Sequence, residues 1–262
     1  MASEYEIKRQ IIDIGKRIYS NGYVAANDGN ISVKLNDNEI IATPTGVSKG
    51  FMTTDMLVKV DTEGNVISGR MRPSSELKMH LAVYRQRPDV NAVVHAHPPT
   101  ATAFAVVGIP LKKPIIPEVV ISLGWIPIAK YGTPSTDEIP QAISQHLENH
   151  DAILLQNHGA ITVGVNLENA YFKMETLELY AKISLAARQL GEARVLPSED
   201  VQRLLELRKQ MNVPGRHPGC MDCGACSVQD NCAAAAKDEN LVDIITRVTQ
   251  QVLLEEAAKT KG

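Results

Sequence analysis

Three histidines at the ends of two apolar segments constrain the fold of this chain more than any other feature. In VVHAHPP, residues 93–99, His95 and His97 stand one residue apart at the end of an apolar run, and in LLQNHGA, residues 154–160, His158 ends a second run. Residues at positions i and i+2 of a strand point to the same face of a sheet. If the two runs form adjacent strands, the three imidazoles meet in one place.

Three imidazole nitrogens around an open fourth position are typical of a catalytic zinc site, because structural zinc sites are closed by four protein ligands. The spacing alone leaves two interpretations open: a metal ion shared by the three histidines, and ordinary packed side chains. An isolated histidine is more often a core or surface residue. That interpretation applies to the four other histidines of the chain, His80, His146, His150 and His217.

Apolar periodicity and turn residues predict a sheet flanked by helices. A capping box at Ser3 and Glu6 begins the first helix, and isoleucines at helical spacing continue it towards Gly22. Further helices are predicted at residues 76–85, 100–107, 137–148, 167–190 and 199–211, with Ser75 and Thr136 as N-caps. Strands are predicted at residues 31–35, 39–43, 57–60, 66–68, 92–96, 118–122, 126–129, 152–155 and 160–163. Few connections suit parallel crossovers, so the predicted fold class is α/β with a central, mostly antiparallel sheet.

Three short polar loops contain the kinds of group that surround a phosphate. They are DGN at residues 28–30, TPTG at residues 43–46 and RPSSE at residues 72–76. Ser74 and Ser75 also stand at the start of a predicted helix, where free N–H groups favour an anion. Ordinary turn and cap residues explain any one of these loops equally well.

Taken together, these segments resemble the class II aldolase and adducin-head family, and within it the zinc-dependent L-fuculose-phosphate aldolases. The resemblance covers about residues 5–210 and depends on motifs in the family's order and spacing: GNIS (29–32), TPTG (43–46), PSSE (73–76), NAVVHAHP (91–98), LLQNHG (154–159) and the helix after VNLENA (165–170). It implies a three-layer α/β/α domain, and a cyclic homotetramer with active sites between subunits.

The resemblance also implies the residues of the active site. Zn²⁺ would be held by His95, His97 and His158, with Glu76 beside the metal as general acid/base. The phosphate of the substrate would be bound by Asn30, Thr45, Gly46, Ser74 and Ser75. The reaction implied is retro-aldol cleavage of a deoxyketose 1-phosphate to dihydroxyacetone phosphate and a short aldehyde such as lactaldehyde.

The chain departs from the fuculose-phosphate pattern at two tyrosine positions. Glu118 aligns with a family tyrosine on the aldehyde side, and a second tyrosine is Met211 here or is displaced, since Tyr131 matches another position. Glu118 is thus either a second catalytic acid/base or a surface or interface carboxylate. The change leaves a sugar-phosphate 4-epimerase or a dehydratase as the alternative. A non-enzymatic, adducin-like module is disfavoured because all three histidines and Glu76 are present.

Charge and hydropathy exclude two classes of partner. The net charge is −3, which gives no reason to expect nucleic acid, and no segment approaches the roughly 20 apolar residues of a membrane span. The first ten residues, MASEYEIKRQ, contain no apolar core of a signal peptide. We therefore expect a cytoplasmic protein.

The composition changes after residue 211, which predicts a class II aldolase domain at residues 1–211 and a Cys-rich linker at residues 212–237. The linker holds every cysteine of the chain, in CMDCGACSVQDNC: Cys220, Cys223, Cys226 and Cys232. Four thiolates at this spacing can bind a second zinc ion or an iron–sulfur cluster. Free or redox-active thiols are the open alternative.

The last segment, residues 238–262, has the apolar periodicity of an amphipathic helix. Its apolar face is formed by Leu241, Ile244, Ile245, Val248, Val252 and Leu253. A linker followed by such a helix resembles the encapsulation peptides that carry enzymes into bacterial microcompartments. The alternative is a helix packed on its own domain or on a neighbouring subunit.

Overall fold

An eight-stranded mixed sheet forms the centre of the protein in a computed structural model that describes residues 3–191 and 193–219. In chain order the strands are β1 (Asn30–Lys34), β2 (Glu39–Ala42), β3 (Val58–Asp61), β4 (Val66–Ser68), β5 (Ala92–Ala96), β6 (Ile128–Ala129), β7 (Ala152–Leu155) and β8 (Gly159–Gly164). Across the sheet their order is β4-β3-β2-β1-β5-β8-β7-β6. Only the β6–β7 pair is parallel among these strands, so the predicted, mostly antiparallel sheet is confirmed.

Helices cover both faces of this sheet and produce the expected three layers. They are α1 (Glu4–Ser20), α2 (Leu77–Gln86), α3 (Pro99–Val106), α4 (Pro117–Ser122), α5 (Glu138–Leu147), α6 (Leu167–Leu190) and α7 (Ser198–Gln210). One apolar core joins the sheet to α1, α3, α4 and α6, and a second joins it to α2 and α5. Short 3-10 turns occupy Lys49–Phe51 and Thr54–Met56.

Alternation along β5 decides which layer receives the histidines. Ala92, Val94 and Ala96 belong to the core on the α6 side, whereas Val93 belongs to the core on the α2 and α5 side. His95 follows Val93 by two residues and therefore faces α2. The N-terminus of α2, with Glu76 at its N-cap, lies on this side of the sheet.

The first helix forms as its sequence predicts. Ser3 Oγ accepts the Glu6 backbone N–H at 3.3 Å, and the Ser3 N–H donates to Glu6 Oε2 at 2.7 Å, which completes the capping box. The predicted apolar face of α1 is buried against the sheet. Burial of this face, and not the cap alone, fixes the helix on its layer.

The predicted strand at residues 118–122 is wrong, since these residues belong to helix α4. Pro117 occupies the first helical turn, which suits its fixed φ, and Val119 and Val120 are buried while Glu118 is exposed. The predicted N-caps Ser75 and Thr136 are each one residue early. Glu76 and Asp137 are the N-caps, neither with a side-chain capping bond.

The predicted strand at residues 126–129 is shorter than expected. Only Ile128–Ala129 pairs with β7, and Ile126 forms an isolated bridge with Leu111. The other predicted helices and strands agree with the structure to within one or two residues at each end, and α6 matches its prediction at both ends.

Residues beyond α7 pack along the same α/β/α domain as far as residue 219. Arg208 donates to Gly215 O at 3.0 Å, and the His217 ring donates to Val120 O at 2.7 Å. The four cysteines and the C-terminal amphipathic segment lie outside the described residues, so their roles stay predictions. Within residues 3–191 and 193–219, none of the helices is long and apolar enough to cross a membrane.

Candidate active site

The structure brings together the three histidines that the sequence singles out. Their ring centroids are 4.8–5.0 Å apart, and one potential ligand atom from each lies within 4.8 Å of the other two. The Nε2 atoms of His95 and His97 are 3.2 Å apart. We call His95, His97 and His158 the histidine trio.

Strand register fixes the trio. The β7–β8 pairing places Leu155 opposite Gly159, so His158 belongs to a three-residue turn with Asn157 in the left-handed region at φ 56°. A Cβ at Gly159 would lie 2.5 Å from His97 Cδ2 and 2.6 Å from Ala96 O. Only glycine therefore allows the β8 start to approach β5 closely enough for the rings to meet.

The ring nitrogens of the trio suit a divalent metal ion. The His95 Nδ1–H donates to Ala160 O at 2.9 Å, which leaves the Nε2 lone pair available. His97 Nδ1 lies 3.7 Å from Asp28 Oδ2, and His158 Nδ1 is buried without a hydrogen-bond partner among the described residues. Burial, together with the neighbouring histidines, lowers the pKa of His97 to about 3 and keeps that ring neutral. Neutral imidazoles are the form that binds zinc.

Glu76 faces the trio from the start of α2. Its Oε1 is 3.2 Å from His158 Nε2, and its Oε2 is 3.4 Å from His95 Nε2. Asn30 Nδ2 donates to Oε2 at 2.9 Å and thereby orients the carboxylate. Burial alone would raise the pKa of Glu76, but the adjacent His95 and His158 outweigh it and hold the pKa well below its ordinary value. The carboxylate is ionised at neutral pH.

A cavity of about 340 Å³ connects the trio with the three polar loops. Its lining includes Glu76, His97 and His158 and all five residues expected to bind phosphate, Asn30, Thr45, Gly46, Ser74 and Ser75. The loops at residues 43–46 and 72–76 are joined directly, because the Thr45 N–H donates to Arg72 O and the Ser74 N–H to Thr43 O, each at 3.0 Å. The sequence motifs thus converge on one cavity.

Two charged residues of the cavity lining were not singled out as site residues by the sequence. Lys49 is only 1% exposed, and Asp28 stands next to His97. Asp28 belongs to the DGN loop, which the sequence identified as a candidate phosphate-binding loop, so its place in the cavity could have been predicted. Lys49 follows the TPTG motif without any local pattern that sets it apart from a surface lysine.

Glu118 does not line this cavity. It lies exposed in the first turn of α4, and Tyr131 and Met211 are exposed as well. Within the described part of the chain, the carboxylates that reach the cavity are Asp28 and Glu76. The aldehyde-side role predicted for Glu118 therefore has no support from the geometry of a single subunit.

Comparison with known proteins assigns the family. Residues 9–185 match the model of the Class II Aldolase and Adducin N-terminal domain, and the chain belongs to this family. It is 32% identical over 210 residues to a 3-oxo-tetronate 4-phosphate decarboxylase of Pectobacterium atrosepticum, covering 78% of this chain and 94% of the relative. It is 39% identical over 176 residues to an L-fuculose phosphate aldolase of Methanococcus vannielii, covering 67% and 94%.

A third relative and a solved structure agree with this assignment. A 5-deoxy-D-ribulose 1-phosphate aldolase of Bacillus thuringiensis serovar kurstaki is 32% identical over 199 residues, which cover 75% of this chain and 92% of the relative. A solved L-fuculose 1-phosphate aldolase superposes with a TM-score of 0.73 at 33% identity, covering 80% of this chain and 98% of that one. The named relatives are lyases, and the fold is that of the class II aldolases.

Proposed function

We propose that this protein is a metal-dependent lyase that cleaves a deoxyketose 1-phosphate, of the L-fuculose 1-phosphate type, to dihydroxyacetone phosphate and a short aldehyde. The observation that carries the proposal is the shared cavity, in which Glu76 and two members of the histidine trio, His97 and His158, stand beside the loops around Thr45 and Ser74. Such a cavity suits a substrate with a phosphate at one end and a carbonyl beside a hydroxyl further along.

The trio would hold the metal ion through ring nitrogens, with Nε2 of His95 and His97 facing each other. When bound, a divalent ion such as zinc supplies Lewis-acid polarisation of the carbonyl and stabilises the negative charge that develops there. The loops at residues 43–46 and 72–76 would hold the phosphate and so fix the distance between the phosphate and the reacting carbons.

Glu76 would move the proton at C3. Cleavage of the C3–C4 bond leaves its electron pair on C3, from which it delocalises onto the C2 oxygen as an enediolate. The ionised carboxylate of Glu76 would accept, directly or through water, the proton that the C4 hydroxyl loses as the aldehyde forms, and would then deliver it to C3. In the reverse direction the ionised carboxylate would remove the proton from C3. The low pKa of Glu76 and the Asn30 contact favour the ionised, oriented carboxylate that the reverse step needs.

A coupled assay for dihydroxyacetone phosphate tests the proposal. We expect release from L-fuculose 1-phosphate, L-rhamnulose 1-phosphate or 5-deoxyribulose 1-phosphate, with loss of the signal on addition of a chelator and in His95→Ala. No release from any of the three by a folded, zinc-loaded protein would refute the aldolase proposal. A 4-epimerase or dehydratase on this scaffold would convert its substrate without releasing dihydroxyacetone phosphate.

The decarboxylase relative favours a second candidate within the same chemistry. Loss of CO₂ from a 3-oxo-tetronate 4-phosphate leaves its electron pair on the carbon beside the carbonyl, so the same enediolate and the same dihydroxyacetone phosphate result. Decarboxylation needs no base for a departing aldehyde, and no tyrosine lines the cavity in the described part of the chain. Because both reactions give one product, the assay must also measure CO₂ and aldehyde.

Assembly and the C-terminal segment complete the proposal. A homotetramer with sites between subunits would allow Glu118 to act from a neighbouring subunit, and the C-terminal amphipathic segment would bind a microcompartment shell protein. Light scattering after size-exclusion chromatography tests the tetramer, and a tenfold or smaller effect of Glu118→Gln on kcat would contradict its acid/base role. Metal and sulfide analysis of the full chain tests the cysteines at residues 220–232.

A further inference from the structure

We propose that Lys49 determines the specificity of the cavity for a phosphate dianion, by supplying a buried positive charge that is held jointly by two of the cavity loops. This inference rests on the proposed function, because that function places a phosphate beside the loops around Thr45 and Ser74. Lys49 would select the charge of the ligand, whereas the other residues expected to bind phosphate can only donate hydrogen bonds.

The position of Lys49 is unusual for a lysine. It is 1% exposed, although lysine is almost never fully buried unless it is paired. It lines the same cavity as the five residues expected to bind phosphate. Among the described residues that line this cavity, Lys49 is the one lysine or arginine. A phosphate bound there would therefore meet one fixed cationic side chain, besides any metal ion that the histidine trio holds.

The ammonium group connects two loops. Lys49 Nζ donates to Asn27 O at 2.9 Å and to Val47 O at 2.6 Å. Asn27 precedes the DGN loop and Val47 follows the TPTG loop, so both segments are held by one atom. Two of the three N–H hydrogens are used in this way, and the third remains available to an anion.

The local charges leave the ammonium only partly compensated. Main-chain carbonyls stabilise a cation by their dipoles but do not neutralise it, and the negative groups that act on Lys49 are Asp28 and Glu76. Glu76 is already engaged by the trio and Asn30. A phosphate dianion in the cavity would give the buried ammonium its missing counter-charge, and this gain is absent for an unphosphorylated ligand.

The pKa of Lys49 is consistent with this role. Burial lowers it to about 8, although Asp28 and Glu76 act to raise it. The group is then mostly charged at pH 7 but close to losing its proton. A bound dianion favours the charged form and so raises the pKa, which by linkage means that protonation of Lys49 strengthens phosphate binding.

The alternative is that Lys49 only holds the two loops together. Two variants separate charge from cross-linking: Lys49→Gln keeps an amide that can donate to main-chain carbonyls, and Lys49→Met removes both charge and donors. Lys16→Gln, on the exposed face of α1, changes the net charge equally and is the matched control. The probe is inorganic phosphate, titrated calorimetrically into the full-length, zinc-loaded protein.

We expect the phosphate Kd to rise about 10- to 100-fold in both Lys49 variants, the loss typical of a hydrogen bond to a charged group, and to stay unchanged in Lys16→Gln. The binding of an unphosphorylated ligand, dihydroxyacetone, should change much less. A Lys49→Gln protein that binds phosphate within twofold of wild type would overturn the proposal, and equal losses for phosphate and dihydroxyacetone would assign Lys49 a purely structural role.

A wild-type measurement keeps the test independent of whether the variants fold. At pH 8, where inorganic phosphate is mostly the dianion, its binding should be accompanied by net uptake of roughly a third to a half of a proton, seen as a binding enthalpy that depends on the buffer. At pH 6.5, where Lys49 is already charged, this uptake should give way to proton release, because most of the phosphate must then lose a proton to bind as the dianion. Phosphate binding that showed neither proton uptake nor a fall in affinity anywhere between pH 8 and pH 11, the range in which Lys49 must lose its charge, would contradict the proposal. Chelator-sensitive release of dihydroxyacetone phosphate by the same preparation would show that only the role of Lys49 had failed.

Discussion

Two groups of histidines in this molecule lie close together but differ in their chemistry. The rings of the trio are 4.8–5.0 Å apart. A second group surrounds Trp125 and consists of His146, His150 and His217: His150 is 4.5 Å from the Trp125 ring and 6.1 Å from His146. Proximity of imidazole rings is not by itself enough to make a metal site.

The difference lies in where the ring nitrogens point. In the trio, His95 uses Nδ1 on a carbonyl and turns Nε2 towards the Nε2 of His97. In the Trp125 group, His150 Nδ1 bonds to His146 O at 3.1 Å, and His217 bonds to Val120 O and to the Gly219 N–H. Ring nitrogens whose lone pairs converge on one point can bind a metal ion, whereas nitrogens that are hydrogen-bonded to the backbone only hold the side chain in its packed position.

Removing one histidine from each group gives the largest expected contrast. His158→Ala removes a direct metal ligand, so its zinc affinity should fall by more than the roughly 10- to 100-fold that loss of an outer-shell partner causes. Release of dihydroxyacetone phosphate should be lost together with the metal. His217→Ala should keep full metal content and lose only about 1–3 kcal/mol of stability, through its buried hydrogen bonds. Metal analysis and thermal unfolding measure both, and a metal-free His217→Ala would contradict the distinction.

Glu76→Gln, beside the histidine trio, separates proton transfer from metal binding. The amide keeps the shape and the Asn30 neighbour but cannot accept a proton, so kcat should fall about 10²- to 10⁴-fold while zinc remains bound. Glu63→Gln, in the exposed turn after β3, is the control. A Glu76→Gln enzyme with near wild-type kcat would remove Glu76 from the proton transfer.

Asp28→Asn tests whether the outer ring nitrogen of His97, which would face away from the proposed metal ion, also matters for metal binding. Asp28 lies 3.7 Å from His97 Nδ1 and is placed to orient that ring. Zinc affinity, measured by competition with a chelator, should fall about 10- to 100-fold. Asp37→Asn, in the exposed β1–β2 turn, should leave it unchanged. Equal affinities in the two variants would show that His97 needs no carboxylate.

The smallest expected effect concerns acid stability and the Trp125 group. Burial lowers the pKa of His150 to about 4, below its unfolded value of about 6.5, so the unfolded state binds more protons between these values. The contribution of neutral His150 to the free energy of unfolding is fully present above about pH 6.5. It is lost as the pH falls towards 4, and the loss is at most about 3 kcal/mol. His150→Phe should flatten this dependence in denaturant unfolding. An unchanged slope would exclude His150 as its source.

Features that depend on neighbouring residues in the chain were predictable. The capping box at Ser3, the apolar run of β5 and the length of α6 can each be read from consecutive residues of the sequence. The strand at β5 then places His95 and His97 on one face. The loops that form the cavity were predictable too, since glycine and hydroxyl residues mark them in the sequence.

Features decided by distant packing were not predictable. The Val119-Val120-Ile121 run has the composition of a strand, yet it is helical because Pro117 starts a turn there and α7 packs against it. The main chain at Lys49 lies so close to helix α1 that a Cβ on Gly15 would be 2.6 Å from Lys49 O, and the Lys49 side chain is held between the carbonyls of Asn27 and Val47. No local sequence pattern around residue 49 predicts that contact.

The turn between β7 and β8 has a consequence for how the protein survives in a cell. An ion held by the trio would tie this hairpin to β5, whose residues lie far away in the sequence, and would stabilise the native state by an amount that grows with free metal concentration. Metal starvation would then reduce both turnover and the lifetime of the folded chain, since unfolded molecules are open to proteases. Enzyme abundance would follow the metal supply without any dedicated regulator.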